Sequence, residues 1–187
     1  MLLDRLFRRS PVLQAADRLY GKVVAQARQP AFYATAGVPD TLDGRFDMIT
    51  VHLVLAMRRL KAKDHAALSQ ALFDTFFKNM DSSLREMGVG DLTVPKRIRS
   101  MAEAFYGRVK AYEIGLEDEA GIEVLALALA RNVFRQETDV PGPGALGLAE
   151  YMRRQDRHLA GLDDATLVGG DWPFLEATLD LPDRAEG

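Results

Sequence analysis

Residues 79–113 read NMDSSLREMGVGDLTVPKRIRSMAEAFYGRVKAYE, and the pattern in this stretch decides the fold. On its N-terminal side Leu68, Leu72, Phe76, Met80, Leu84 and Met87 recur at helical spacing, and Phe73 and Phe77 widen the stripe. Gly88 and Gly90 interrupt it. Glycine enters the left-handed region past a helix end without steric cost, so the pair predicts a stop. Asp91 or Thr93 is placed to cap a second helix, and Pro95 suits its first turn, where a missing N–H costs little. Beyond it Val94, Ile98, Met101, Phe105, Val109 and Tyr112 follow at steps of four, three, four, four and three. The stretch predicts a helix, a structural corner at Gly88, Gly90 and Asp91, and a long basic amphipathic helix.

Charge placement gives that second helix a possible surface role. At about 100° per residue, Arg97, Ala104 and Arg108 fall along one edge of the apolar stripe, while Lys96, Arg99 and Lys110 point away. Two readings stay open. The arginine stems cover the core with their heads in water, or they border a groove for an acidic or helical partner. The Gly88-Val89-Gly90 step does not read as a phosphate cradle, because it follows a helix, lacks GK[ST] and has no third glycine at dinucleotide spacing.

Working toward the N-terminus, Asp64 is predicted to cap the helix that carries the leucine and phenylalanine stripe. The run RFDMITVHLVLAMRRLKAK from Arg45 is apolar around much of its circumference, which predicts a central helix packed on several sides. His52 inside it reads as a core or boundary residue with one satisfied nitrogen. Residues 29–44, QPAFYATAGVPDTLDG, contain two prolines and two glycines and predict a long connection on which Phe32 and Tyr33 dock. Asp43 is its expected helix cap. Asp40 to Gly44 resembles half of a calcium loop, without the remaining ligands or the terminal glutamate. Ser10-Pro11 opens a helix over 11–28. Residues 1–10 form a basic amphipathic segment suited to weak contact with an anionic membrane, or a frayed terminus.

Toward the C-terminus, LEDEAGIEVLALALARNVFRQ starts with acids and ends with Arg131 and Arg135, matching a helix dipole at both ends. Asp139 to Gly147 reads as a loop. A helix from Leu148 to Leu159 carries Arg153, Arg154 and Arg157 as a second basic surface, and Asp163 to Val168 forms a short turn of helix. Residues 171–187 are expected to dock through Trp172, Phe174 and Leu175 and then become disordered. The helical domain therefore spans 11–170.

The 187 residues suffice for one sizeable core. No cysteine is present, which removes disulfides, thiolate metal sites and cysteine nucleophiles. Lys plus Arg at 24 against Asp plus Glu at 27 gives a net charge of −3 and argues against a nucleic-acid partner. The apolar run from Val124 to Ala130 is far shorter than the roughly 20 residues that span a bilayer. His52, His65 and His158 are scattered, without HExxH spacing, and no GxSxG elbow accompanies them. Asp74 and Asp81 share a helix face, which predicts solvation or pairing with the basic helix before acid–base chemistry. The expected fold is all-α, a single-domain bundle of six or seven helices with no catalytic centre, cofactor or metal.

Several segments together resemble the ubiquinol–cytochrome c chaperone family. They are QARQPAFYATAGVPDTLDGRFDM, the histidine-bearing helix after it, MDSSLREMGVGDLTVPKRIRSMAEAFYGR and LALARNVF, within Tyr20 to Arg135. The VPDT-DGRFD connection and the LREMGVGDL corner with its FYGR are the most specific parts. The resemblance implies a non-enzymatic assembly factor for complex III that holds newly made cytochrome b. Mitochondrial members act with a small partner protein near the ribosomal exit. The present chain lacks their long N-terminal extension and looks like a short bacterial form, cytoplasmic and at most peripheral on the inner membrane.

On that resemblance, the expected partner-binding residues are Arg85, Lys96, Arg97, Met101, Phe105 and Arg108. They would line a groove whose methionine and aromatic side chains adapt to an apolar client and whose cations meet acidic groups or lipid headgroups. Arg85 and Glu86 fit equally well as an internal lock of the corner. Two other classes remain. One is a helical-pocket enzyme for a lipid or quinone-like molecule with His52 as base, and the other is a peripheral-membrane adaptor working through Met1 to Arg9.

Overall fold

The computed structural model describes residues 10–179 and 181, and every regular element among them is an α-helix. The elements are α1 Pro11–Ala27, α2 Pro30–Ala34, α3 Leu42–Ala62, α4 Ala66–Glu86, α5 Val94–Gly115, α6 Ile122–Asn132, α7 Pro143–Ala160 and α8 Asp164–Gly169. Helix α3 is the axis. It packs on α1, α4, α5 and α7, while α6 joins α5 to α7 and α8 rests on α1. Its apolar residues accordingly lie on all sides, and Met48, Val51, Leu53, Leu55 and Ala56 are fully buried.

Local chemistry sets most of the boundaries. Ser10 caps α1 by accepting a bond from the Leu13 N–H at 3.3 Å, with Pro11 in the first turn. Two expected caps differ. Thr41, not Asp43, caps α3 through the Gly44 N–H at 3.1 Å, and Asp43 lies inside the first turn. Asp64 does not cap α4, because it holds a left-handed backbone (φ 57) that turns the chain between helices. The capping position falls to His65, which makes no capping bond and reaches Asp164 at 2.7 Å instead. Asp40, the first residue of the calcium-like stretch, pairs with Arg45 at 2.7 Å.

The connection over 29–44 contains the short helix α2. Its Phe32 is fully buried, and the Tyr33 hydroxyl donates to the Ala27 carbonyl at 2.9 Å. Helix α7 begins at Pro143, earlier than the glycines around it suggest. Gly144 is required there because a Cβ would collide with the Ala36 carbonyl oxygen, so its role is close packing and not chain flexibility.

A buried polar knot ties α1, α3, α7 and the C-terminal segment together. The Tyr151 hydroxyl accepts from the side-chain amides of Gln26 (2.9 Å) and Gln155 (3.0 Å). Its own proton is thereby directed to Nε2 of His52 at 2.8 Å, which leaves Nδ1–H of His52 to donate to the Met48 carbonyl at 2.8 Å. Both ring nitrogens are satisfied, one more than the sequence predicts. Complete burial holds the imidazole neutral, with its pKa pushed down to about 4.

The basic surface expected on α7 is mostly internal wiring. Arg153 donates to the carbonyls of Gly115 (3.1 Å) and Ala120 (2.5 Å), and Arg154 donates to that of Thr178. Only Arg157 is exposed. The C-terminal segment docks as anticipated through Trp172, whose Nε1 donates to the Leu167 carbonyl at 3.1 Å, and through Phe174, edge-on to His52. Leu175 contributes its backbone carbonyl, to Gln26 and Gln155, while its side chain faces outward. The expectations for residues 1–9 and for disorder at the C-terminal end fall outside the described residues.

Candidate functional site

Helices α4 and α5 meet at a rigid elbow. Gly88 adopts φ 81, the Val89 N–H donates to the Leu84 carbonyl at 3.0 Å, and the Gly88 N–H donates to that of Arg85 at 2.9 Å. These two bonds make a Schellman closure, and Leu84 is buried. Gly90 has no left-handed backbone. Its carbonyl accepts from Thr93 (2.8 Å) and Val94 (3.2 Å) and starts α5. Thr93 holds the capping position of that helix without a side-chain bond, and Asp91 does not cap it. Asp91 instead takes the Arg85 guanidinium at 2.5 Å, and Asp81 takes it at 2.6 Å. Arg85 therefore locks the corner, with Asp81 and Asp91 as its partners in place of Glu86.

Inside the elbow, the start of α3, the end of α4 and the first half of α5 enclose a groove of about 440 Å³. Phe46, Ile49, Met80, Leu84, Met101 and Ala104 make an apolar floor, and Met87 stands half-exposed at its mouth. Five arginines surround this floor: Arg28, Arg45, Arg97, Arg108 and Arg135. Arg97 and Arg28 are exposed and carry no acidic partner among the described residues.

Two of the five cations are fixed from below. Asp47, fully buried on α3, meets Arg108 at 2.7 Å and Arg135 at 2.7 Å. Arg108 also donates to the Ala104 carbonyl at 3.1 Å and lies over the Phe46 ring, 5.6 Å from its centroid. Burial pushes the Asp47 carboxyl up to about 6, against the opposing pull of Arg108 and then Arg135. Arg135 reaches the acid from a left-handed backbone (φ 57) just past α6, a conformation that costs a non-glycine residue energy and marks a constrained position.

The residues nominated from sequence separate here. Arg97, Met101 and Arg108 come together in the groove. Phe105 is fully buried against Phe73, Phe76 and Phe77 and supports the floor from behind, because the apolar stripe of α5 faces the bundle there. Lys96 is exposed on the other side of α5, and Arg85 is committed to the corner. Met80, Phe46, Arg28, Arg45, Asp47 and Arg135 were not nominated. Asp47 carried a usable signal, since a lone acid inside an apolar run requires a buried cation.

The family model for ubiquinol-cytochrome C chaperone matches residues 34–174, most of the chain and all of α3 to α8. The chain belongs to the ubiquinol–cytochrome c chaperone family. It is 28% identical over 156 residues to ubiquinol-cytochrome-c reductase complex assembly factor 1 of Xenopus laevis, covering 82% of this chain and 76% of that protein. The human protein of the same name is 26% identical over 157 residues, with 82% of this chain and 51% of that protein aligned. The chain thus spans about half the length of the human relative. Among solved structures, the Cbp3 homolog from Brucella abortus superposes with a TM-score of 0.80 at 39% identity, over 96% of this chain and 100% of the other. Members of this chaperone family are assembly factors, not enzymes. His52 agrees with that, being sealed in the core with both nitrogens engaged.

Proposed function

We propose that this protein is an assembly factor for ubiquinol–cytochrome c reductase whose elbow groove holds an apolar segment of newly made cytochrome b. One observation carries the reading, namely an apolar, methionine-rich floor rimmed by five arginines. Methionine side chains adapt to many apolar shapes, which suits a client held before it reaches its final fold. Arg28 and Arg97, the two rim arginines without an acidic partner among the described residues, pair with carboxylates flanking such a segment and fix its direction, since guanidinium forms bidentate contacts with carboxylate. Family membership supports the client, and it also supports a small helper protein as second partner and a peripheral place at the inner membrane.

The test uses Arg97→Glu combined with Met101→Asp, with Lys110→Glu as a control on the outer face of α5. The double variant is expected to lose co-purification of cytochrome b after crosslinking in native membranes, with an unchanged far-UV spectrum. Retention of cytochrome b at the control level would remove the groove from the account. Arg108 is unsuitable for this purpose, because reversing it would expel Asp47 from its pairing.

A further inference from the structure

The outer tip of the elbow presents a surface that folding does not explain. Leu92 is 97% exposed, and Met87 beside the same turn is 51% exposed. This is not a frayed loop. The backbone bonds from Thr93 and Val94 to the Gly90 carbonyl, together with the Schellman closure at Gly88, hold Leu92 outward. Just behind it Lys96, Arg97 and Arg99 are exposed on the first two turns of α5, with no acidic partner among the described residues. Cations there oppose the helix dipole and give the fold nothing. Asp81 and Asp91 are engaged by Arg85, and residues 85–99 carry four cations against two acids.

We propose that this tip is a contact for an anionic lipid bilayer, with Leu92 and Met87 entering the headgroup boundary and Lys96, Arg97 and Arg99 meeting lipid phosphates. A rigidly projected apolar side chain backed by unpaired cations fits that surface, because apolar insertion and attraction to anionic lipid act together. An acidic protein surface would satisfy the cations and leave Leu92 in water. The groove opens beside the tip, with Met87 and Arg97 common to both, so docking would set the groove mouth at the bilayer. The proposal does not depend on the identity of the client.

Flotation of the full chain with phosphatidylcholine vesicles, with and without an equal part of phosphatidylglycerol, tests the idea. The protein is expected to float only with the anionic vesicles, and less at high salt. The variant Leu92→Ser/Lys96→Glu/Arg99→Glu leaves the groove lining untouched and is expected to bind at least about twenty-fold more weakly, each lost cation accounting for about five-fold. Removing residues 1–9 should leave flotation in place. The chain has no cysteine, so an environment-sensitive fluorophore on Leu92→Cys reports insertion directly and should brighten and shift to the blue on adding anionic vesicles. Absence of flotation, a silent fluorophore, full binding by the triple variant, or binding lost only with residues 1–9 would each overturn the proposal. Cytochrome b capture by Met101→Asp alone, which leaves the tip residues in place, reads the groove separately.

Discussion

Asp47 shows how one side chain links folding to the groove. Its carboxylate has no exposure, and two guanidinium groups reach it from parts of the chain that only the fold brings together. The folded-state pKa, about 6, lies above the ordinary 3.8. The unfolded chain therefore releases this proton first. The stability contributed by Asp47 is greatest below about pH 4, declines as pH rises to about 6, and is flat above that. Arg108→Met removes the stronger partner and leaves the acid with Arg135 alone. It should cost about 3 kcal/mol near neutral pH and distinctly less near pH 5, where the acid is protonated. Urea unfolding of both proteins at the two pH values checks this, and an equal loss at both would contradict the pairing. The Tyr151 hydroxyl supports a different claim. Tyr151→Phe leaves His52 Nε2 without its donor and two glutamine amides with only the Leu175 carbonyl as acceptor, and is expected to cost about 2 kcal/mol in thermal or urea unfolding.

Among the elements, the α4–α5 elbow was legible in the sequence because helix periodicity and glycine punctuation are local signals. Gly88 was read for the right reason, and Gly90 was not. Gly88→Ala should destabilise the protein by about 1 kcal/mol, since an L-residue is strained at φ 81 although no atom obstructs the new Cβ. Gly90→Ala should change stability by no more than about 0.5 kcal/mol. Equal effects in a denaturant titration would contradict the assignment of the closure to Gly88. The central packing of α3 was equally legible, from apolar residues on every side. The start of α7 was not, because Gly144 suggests a loop when read locally, and only the approach of Ala36 reveals why a glycine sits in a helix. Arg153 and Arg154 misled for a related reason. Their acceptors are main-chain carbonyls at the end of α5, in the loop before α6 and in the C-terminal segment, which no side-chain pattern announces.

At the scale of the whole molecule, α3 orders the bundle and the elbow stands against one side of it, so the groove is built from three helices, one residue beyond α1 and one beyond α6. The sequence supplied the α5 side of that groove, Arg97, Met101 and Arg108. It did not supply the opposite wall, because Phe46 and Ile49 belong to a helix whose circumference is nearly all apolar and gives no sign of which face meets the opening. Arg28 and Arg135 lie far along the chain from α5 and join the rim only through tertiary packing. The groove is thus a property of assembly, and so is the claim that it holds a client. Photo-crosslinking from residue-specific probes in native membranes tests this claim most directly, with one probe at Met87, one at Met101 and a control at exposed Glu150 on α7. The account predicts cytochrome b adducts from Met87 and Met101 and none from Glu150. Adducts from Glu150 alone, or equal adducts from all three, would contradict it.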